Sequence, residues 1–107
     1  MTQEEALKQY LPLSESLYFI LLSLTEPRHG YGILLYVKKL TAGARVLETG
    51  TIYNTLSRLV RDGLAEPAGG DERRTLYQAT ALGLAVLRAE AARLETLCAY
   101  GRALVME

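Results

Sequence analysis

The sequence predicts a mainly α-helical fold with one small β-hairpin (α+β), and three observations carry that prediction. Over most of the chain, apolar residues recur at the three- and four-residue spacing of buried helix faces. The period gives way only around "LAEP" (64–67) and "RTLYQA" (74–79), which have strand-like character, and an Ala/Leu/Arg/Glu-rich segment of helical composition follows from Ala81. At 107 residues, half of them hydrophobic, the chain suits one domain (1–107) with a small core.

The elements follow in order. Thr2 to Tyr10 has helix-forming composition with glutamates early, and Pro12 stops it, giving a leading helix within residues 1–12. Ser14 stands where a helix cap belongs, and Leu17, Ile20, Leu21 and Leu24 form one buried stripe that ends at Pro27. After the turn "EPRHGYG", a helix over Gly30 to Leu40 turns Ile33, Leu34, Val37 and Leu40 inward and Lys38 and Lys39 outward, with Gly43 as its C-terminal cap. "GTIYNTLSRL" (50–59) opens the next helix. Ile52, Leu56, Leu59 and Val60 define its buried side, and Gly63 supplies the left-handed stop.

The polar, Gly-rich "AGGDERR" joins the two strand-like segments as a hairpin with a flexible tip. Thr80 then caps the last helix, where Leu84, Leu87, Ala91, Leu94, Cys98, Gly101 and Val105 alternate spacings of three and four. That is the seam of a two-helix contact with small knobs, and it predicts a homodimer in which the leading helix assists through Leu7, Tyr10 and Leu11. The same region holds the candidate lining of an effector pocket, Leu7, Tyr10, Leu11, Leu94, Leu97 and Cys98, with Tyr10 and Tyr100 as its aromatic walls because the chain has no Trp.

Composition removes several function classes. The formal net charge is +0, which argues against binding nucleic acid by bulk charge, yet the middle of the chain is locally basic. There Arg28, Lys38, Lys39, Arg45, Arg58, Arg61, Arg73 and Arg74 outnumber Glu48, Asp62, Glu66, Asp71 and Glu72. One Cys, Cys98, permits no internal disulfide, and with one His, His29, it makes no zinc set; no metal or other cofactor is expected. His29 reads as a structural hydrogen-bonding group in a tight turn. No nucleophile stands with a base and no carboxylates pair in a pattern, so an enzyme is not expected. Gly30, Gly32 and Gly50 form no phosphate loop and read as backbone clearance. "MTQEEALKQY" lacks the regions of a signal peptide, and no apolar run reaches a membrane span, so the expectation is a soluble cytoplasmic protein with no membrane partner.

Three helices, a hairpin and a further helix are the order of a winged helix-turn-helix, here over residues 13–80 with the wing at about 64–79 and a dimerisation helix over 81–107. The helix opening at Gly50 would then enter the major groove and present Thr51, Tyr53, Asn54, Ser57, Arg58 and Arg61, residue types that contact base edges or phosphates. Arg73 and Arg74 stand where a wing meets the DNA backbone or minor groove. Tyr31 and Tyr53 could each hold a phosphate near a helix N-terminus, or pack the angle between the helices.

The sequence resembles the PadR family of transcriptional regulators through "HGYGI" at His29 to Ile33, "GTIYNTLSRLVRDGL" at Gly50 to Leu64 and "RRTLYQATALG" at Arg73 to Gly83. The resemblance covers roughly residues 13 to 87. It implies a bacterial, nucleoid-associated dimeric repressor whose last helix dimerises and whose reading helix and wing bind double-stranded DNA at a palindromic operator. The single helix on each side of the winged domain is similar to the compact subgroup, whose members often sense small aromatic or lipophilic compounds. This chain departs from the family pattern at Glu48, where a small polar cap is usual, at Thr75 and Leu76 in the wing strand, and at Ala79 before Thr80. The rival reading is a winged-helix module that binds protein without specific DNA binding, consistent with the neutral charge and sparse basic wing.

Overall fold

A computed structural model describes residues 1–106, so Glu107, the last residue of the expected 81–107 helix, lies outside the described residues. Among the described residues, five helices and a two-stranded hairpin follow one another: α1 (Gln3–Tyr10), α2 (Glu15–Ser23), α3 (Gly30–Leu40), α4 (Thr49–Arg61), β1 (Ala65–Gly70), β2 (Thr75–Ala79) and α5 (Ala81–Val105). The architecture is mainly α with a small β part, as the hydrophobic periodicity predicts.

Local chemistry sets most boundaries. The Thr2 side chain accepts from the Glu5 N–H while the Glu5 carboxylate accepts from the Thr2 N–H, a reciprocal cap that starts α1. Ser14 caps α2 through the Leu17 N–H, and Thr80 caps α5 through the Gly83 N–H. Gly43 and Gly63 adopt the left-handed conformation at φ +83° and +79°. At these stops the Gly43 N–H bonds back to the Lys38 carbonyl and the Leu64 N–H to the Leu59 carbonyl.

α2 is shorter than its apolar stripe suggests. It stops at Ser23, whose hydroxyl turns back onto the Ile20 carbonyl and whose own carbonyl accepts from Arg28. Leu24 stays in the core beyond the helix end.

The core gathers Ile20, Leu21, Leu24, Ile33, Val37, Ile52, Leu56, Leu59, Leu64 and Val86. On α3, Ile33 and Val37 are buried and Leu34 is half-buried, but Leu40 is half exposed because it lies on the last turn, beyond the packed part of the helix. α1 packs against α5, and α4 lies against α3 and the wing.

The hairpin also departs from expectation. β1 continues through Ala68, Gly69 and Gly70, pairing Ala65 with Ala79, Pro67 with Tyr77 and Gly70 with Thr75, with an irregularity between Pro67 and Gly70. Gly70 has φ +117°, and a Cβ there would stand 2.1 Å from the Arg74 carbonyl oxygen, so only glycine admits this close approach. The expected flexible tip shrinks to Asp71–Arg74. That turn is braced by the Asp71 carboxylate, which accepts from the backbone N–H groups of Arg73 and Arg74 at 2.8 and 2.9 Å.

α5 divides in two. Gly83, Val86, Leu87 and Glu90 are buried in the protomer, whereas Leu94, Leu97, Tyr100, Leu104 and Val105 are exposed. Leu87, read from the sequence as part of a two-helix seam, belongs to the protomer core instead, because the first turns of α5 cover α2 and the wing. Glu90 lies 1% exposed, accepts the Leu13 N–H at 2.8 Å and is bound by Arg93, which ties the α1–α2 joint to α5.

Candidate nucleic-acid interface

α4 is anchored by Ile52, Leu56 and Leu59, so 3.6 residues per turn direct Asn54, Ser57 and Arg61 away from the core. Thr51, Tyr53, Asn54, Ser57 and Arg61 are all exposed, and Arg58 is half-buried. The helix starts at Thr49 with Glu48 in the cap position, and no side chain caps it. The N–H groups of its first turn therefore face outward without an internal side-chain acceptor.

The wing lies along one flank of α4. A cleft of about 520 Å³ opens between the start of α3, Tyr53 and the wing, lined by His29, Gly30, Tyr31, Tyr53, Arg73, Arg74, Thr75 and Tyr77. Tyr53 forms its partition from a second groove of about 420 Å³, which runs past Ser57, Val60 and Arg61 to Pro67 and Tyr77. The Tyr53 ring lies over Gly30, where a Cβ would come within 2.6 Å of it, so clearance for this ring is what the glycine provides.

Tyr31 and Tyr53 are both about half exposed, which leaves their hydroxyls available to a ligand in the cleft. Arg73 and Arg74 are exposed, and neither enters an ion pair among the described residues. The Asp71 carboxylate accepts from their backbone N–H groups, which hold its pKa below the usual carboxylate value, and it forms no ion pair with either guanidinium among the described residues.

His29 caps α3, its Nδ1 accepting from the Gly32 N–H at 3.0 Å, while its Nε2 faces the Arg74 guanidinium at 3.3 Å. A neutral ring accepts at only one nitrogen. With Nδ1 engaged as the acceptor, Nε2 of a neutral ring offers the Arg74 guanidinium no lone pair.

The other flank of α4 faces α1. Tyr10, 4% exposed, donates its hydroxyl to Asp62 Oδ2 at 2.6 Å, and the Arg58 guanidinium lies over its ring, 4.5 Å from the centroid. Arg61 Nε donates to Asp62 Oδ1 at 3.1 Å. The Arg61 and Tyr10 hydrogen bonds hold the Asp62 carboxyl below its ordinary pKa, and burial with the Asp62 contact pushes the Tyr10 hydroxyl up to about 12. Tyr10 therefore faces the inside of the protomer, not a pocket or a seam. Leu7, Leu11, Ala91 and Gly101 are half-buried, while Leu94, Leu97 and Cys98 are exposed.

Sequence reasoning missed three contributors: Tyr77, Asp62 and the contact of His29 with Arg74. Asp62 carried a signal, since an acidic group at a helix C-terminus opposes the macrodipole and needs a compensating partner. Arg28 and Arg45, counted toward the basic surface, do structural work. Arg28 lies over the Tyr36 ring and its backbone pairs with Tyr77, and Arg45 binds Glu15.

A helix-turn-helix with an outward polar row on its second helix, flanked by a hairpin carrying unpaired arginines, defines a winged-helix DNA-binding protein. Residues 17–89 match the transcriptional regulator PadR-like family, and the chain belongs to it: it is a DNA-binding transcriptional regulator. Solved structures agree in fold. A transcriptional regulator from Clostridium thermocellum superposes with TM-score 0.73 at 24% identity, covering 87% of this chain and 98% of its own. A PadR family transcriptional regulator from Eggerthella lenta gives 0.68 at 28% identity over 97% and 89%. The PcaV transcriptional regulator from Streptomyces coelicolor, in complex with its natural ligand, gives 0.68 at 23% identity over 94% and 74%. Among curated proteins none matches the chain significantly. No described helix is long and apolar enough to cross a membrane.

Proposed function

We propose that the protein is a dimeric repressor that sets two copies of α4 in successive major grooves of a palindromic operator, with half-sites about 34 Å apart. The observation that carries this reading is the row Asn54, Ser57 and Arg61, turned outward by a buried opposite face and continued by the cleft between α3 and the wing. In this arrangement Asn54 and Arg61 meet base edges and Thr51 and Ser57 meet the DNA along the same face. Tyr31, Tyr53, Arg73 and Arg74 hold phosphates where the strand passes the wing.

The exposed apolar residues of α5, Leu94, Leu97 and Leu104 among them, supply the dimer contact, with Cys98 and Gly101 on the same stretch. A small lipophilic or aromatic effector would bind between α1 and α5 of the assembled dimer and favour one separation of the two reading heads. The PcaV transcriptional regulator, a protein of the same fold, is in complex with its natural ligand, which supports an effector in general but neither its site nor its class.

The test is a gel-shift titration on the DNA upstream of the protein's own coding sequence, at two salt concentrations, with Asn54→Ala and Arg73→Ala beside the wild type. The expected result is a salt-sensitive specific shift that both variants weaken, and a footprint with two-fold symmetry. Wild type and both variants that bind this DNA no better than random DNA would mean that the target lies elsewhere or that the winged helix serves a protein partner.

A further inference from the structure

The C-terminal turn of α4 carries two guanidiniums, and both are held by one small knot. Arg61 rests on Asp62, Asp62 accepts the Tyr10 hydroxyl, and Arg58 rests on the Tyr10 ring. Tyr10 is the last residue of α1 and stands 52 positions before Asp62, so these contacts join the leading helix directly to the reading helix. The Asp62 side chain is 11% exposed and the Tyr10 residue 4%, so water competes little for either. α1 also packs on α5, which places Tyr10 in a helix held between the last helix and the arginines.

We propose that Tyr10 is a positioning residue for DNA reading: its hydroxyl fixes Asp62 and thereby Arg61, its ring fixes Arg58, and the placement of α1 against α4 thus sets DNA affinity. The proposal rests on Arg61 meeting DNA, as proposed above, and extends that contact to Arg58. Its consequence is that α1 regulates binding without touching DNA. A shift of α1 that withdraws Tyr10 releases both side chains into many rotamers, and each must be reordered on binding. Asn54 and Ser57, which make none of these contacts, lie outside the knot.

The experiment measures fluorescence anisotropy of a labelled duplex carrying the protein's own upstream region, over a salt series. It compares wild type, Tyr10→Phe, Tyr10→Leu and the double variant Arg58→Ala/Arg61→Ala, then each Tyr10 change within that double variant. Tyr10→Phe keeps the ring beneath Arg58 and removes the bond to Asp62; Tyr10→Leu removes both. Thermal unfolding by circular dichroism establishes that each variant is folded, and Tyr10→Phe, which preserves the ring, carries the test if Tyr10→Leu does not fold.

The expected result is that Tyr10→Leu binds about tenfold more weakly and Tyr10→Phe by a smaller factor, with the salt dependence of the wild type, whereas the arginine variant shows a shallower one. Neither Tyr10 change then weakens binding further in the arginine-free background, a coupling that a purely structural role would not produce. Tyr10 variants that bind as wild type, or that weaken both backgrounds equally, overturn the proposal and leave the DNA reading intact. An arginine variant that binds as wild type, while Arg73→Ala does not, overturns it by removing α4's arginines from the interface. Wild-type protein that fails to prefer this duplex overturns the DNA reading and the proposal together.

Discussion

The two flanks of α4 are built on opposite principles. Toward α1, the contacts close within the protomer: the Tyr10 hydroxyl bonds to Asp62, Asp62 to Arg61, and Arg58 lies on an aromatic face, with Arg61 still largely exposed. Toward the wing, the polar groups line open clefts, and Arg73, Arg74, Tyr31 and Tyr53 present donors that the protein leaves uncommitted. The difference shows how one short helix serves both stability and recognition. The closed flank fixes where the helix and its two arginines lie, and the open flank keeps its donors for an external anion.

Removing what the flanks share should have the largest effect. Leu59, fully buried between them, anchors α4, and Leu59→Ala should cost about 2–5 kcal/mol in denaturant unfolding by leaving a cavity. Such a change would blur the comparison, since both flanks lose their support together.

Acid separates the flanks. Asp62 on the closed side and Asp71 on the open side both have carboxyl pKa values held below the ordinary one, Asp62 chiefly by Arg61 and Asp71 chiefly by the Arg73 N–H. A lowered folded pKa contributes stability that is full above the unfolded value of about 4 and is lost as pH falls through the folded one. The melting temperature should therefore drop below about pH 4, and Asp62→Asn should reduce that dependence. Asp71→Asn should leave it nearly unchanged, because the fully exposed Asp71 braces only the wing turn.

The smallest effect on stability and the sharpest on the open flank should come from Gly30→Ala. The added methyl would meet the far end of the Tyr53 side chain, which can swing aside cheaply. Unfolding midpoints should move by less than about 1 kcal/mol, whereas DNA affinity should fall severalfold in the same anisotropy assay as Tyr53 abandons its place in the cleft. Equal losses in both measurements would mean that the Tyr53 ring supports the fold more than the cleft.

Features written within a few residues of one another were legible in the sequence. The caps at Ser14 and Thr80, the stops at Gly43 and Gly63 and the buried stripe of α4 depend on local spacing, and each appears where the residues put it. The outward row Asn54, Ser57 and Arg61 follows from the same periodicity. Features that depend on distant partners were not legible. Nothing near Tyr10 announces Asp62, and the heptad-like spacing of α5 does not separate Leu87, which faces the protomer core, from Leu94, which faces out. The end of β1 escaped for a different reason: Gly69 and Gly70 have turn composition, yet Gly70 is used for a close backbone approach inside the hairpin.

Gly83 has a broader consequence. A Cβ at this position would stand 2.1 Å from the Leu64 carbonyl oxygen, so the root of α5 is seated main chain against main chain, with no rotamer between them. A helix of 25 residues extends about 37 Å from such a seat, and a tilt of about 5° there would carry its far end about 3 Å. The reach of the distal α5 surface is therefore levered from its root, where this backbone contact acts together with the buried Val86, Leu87 and Glu90.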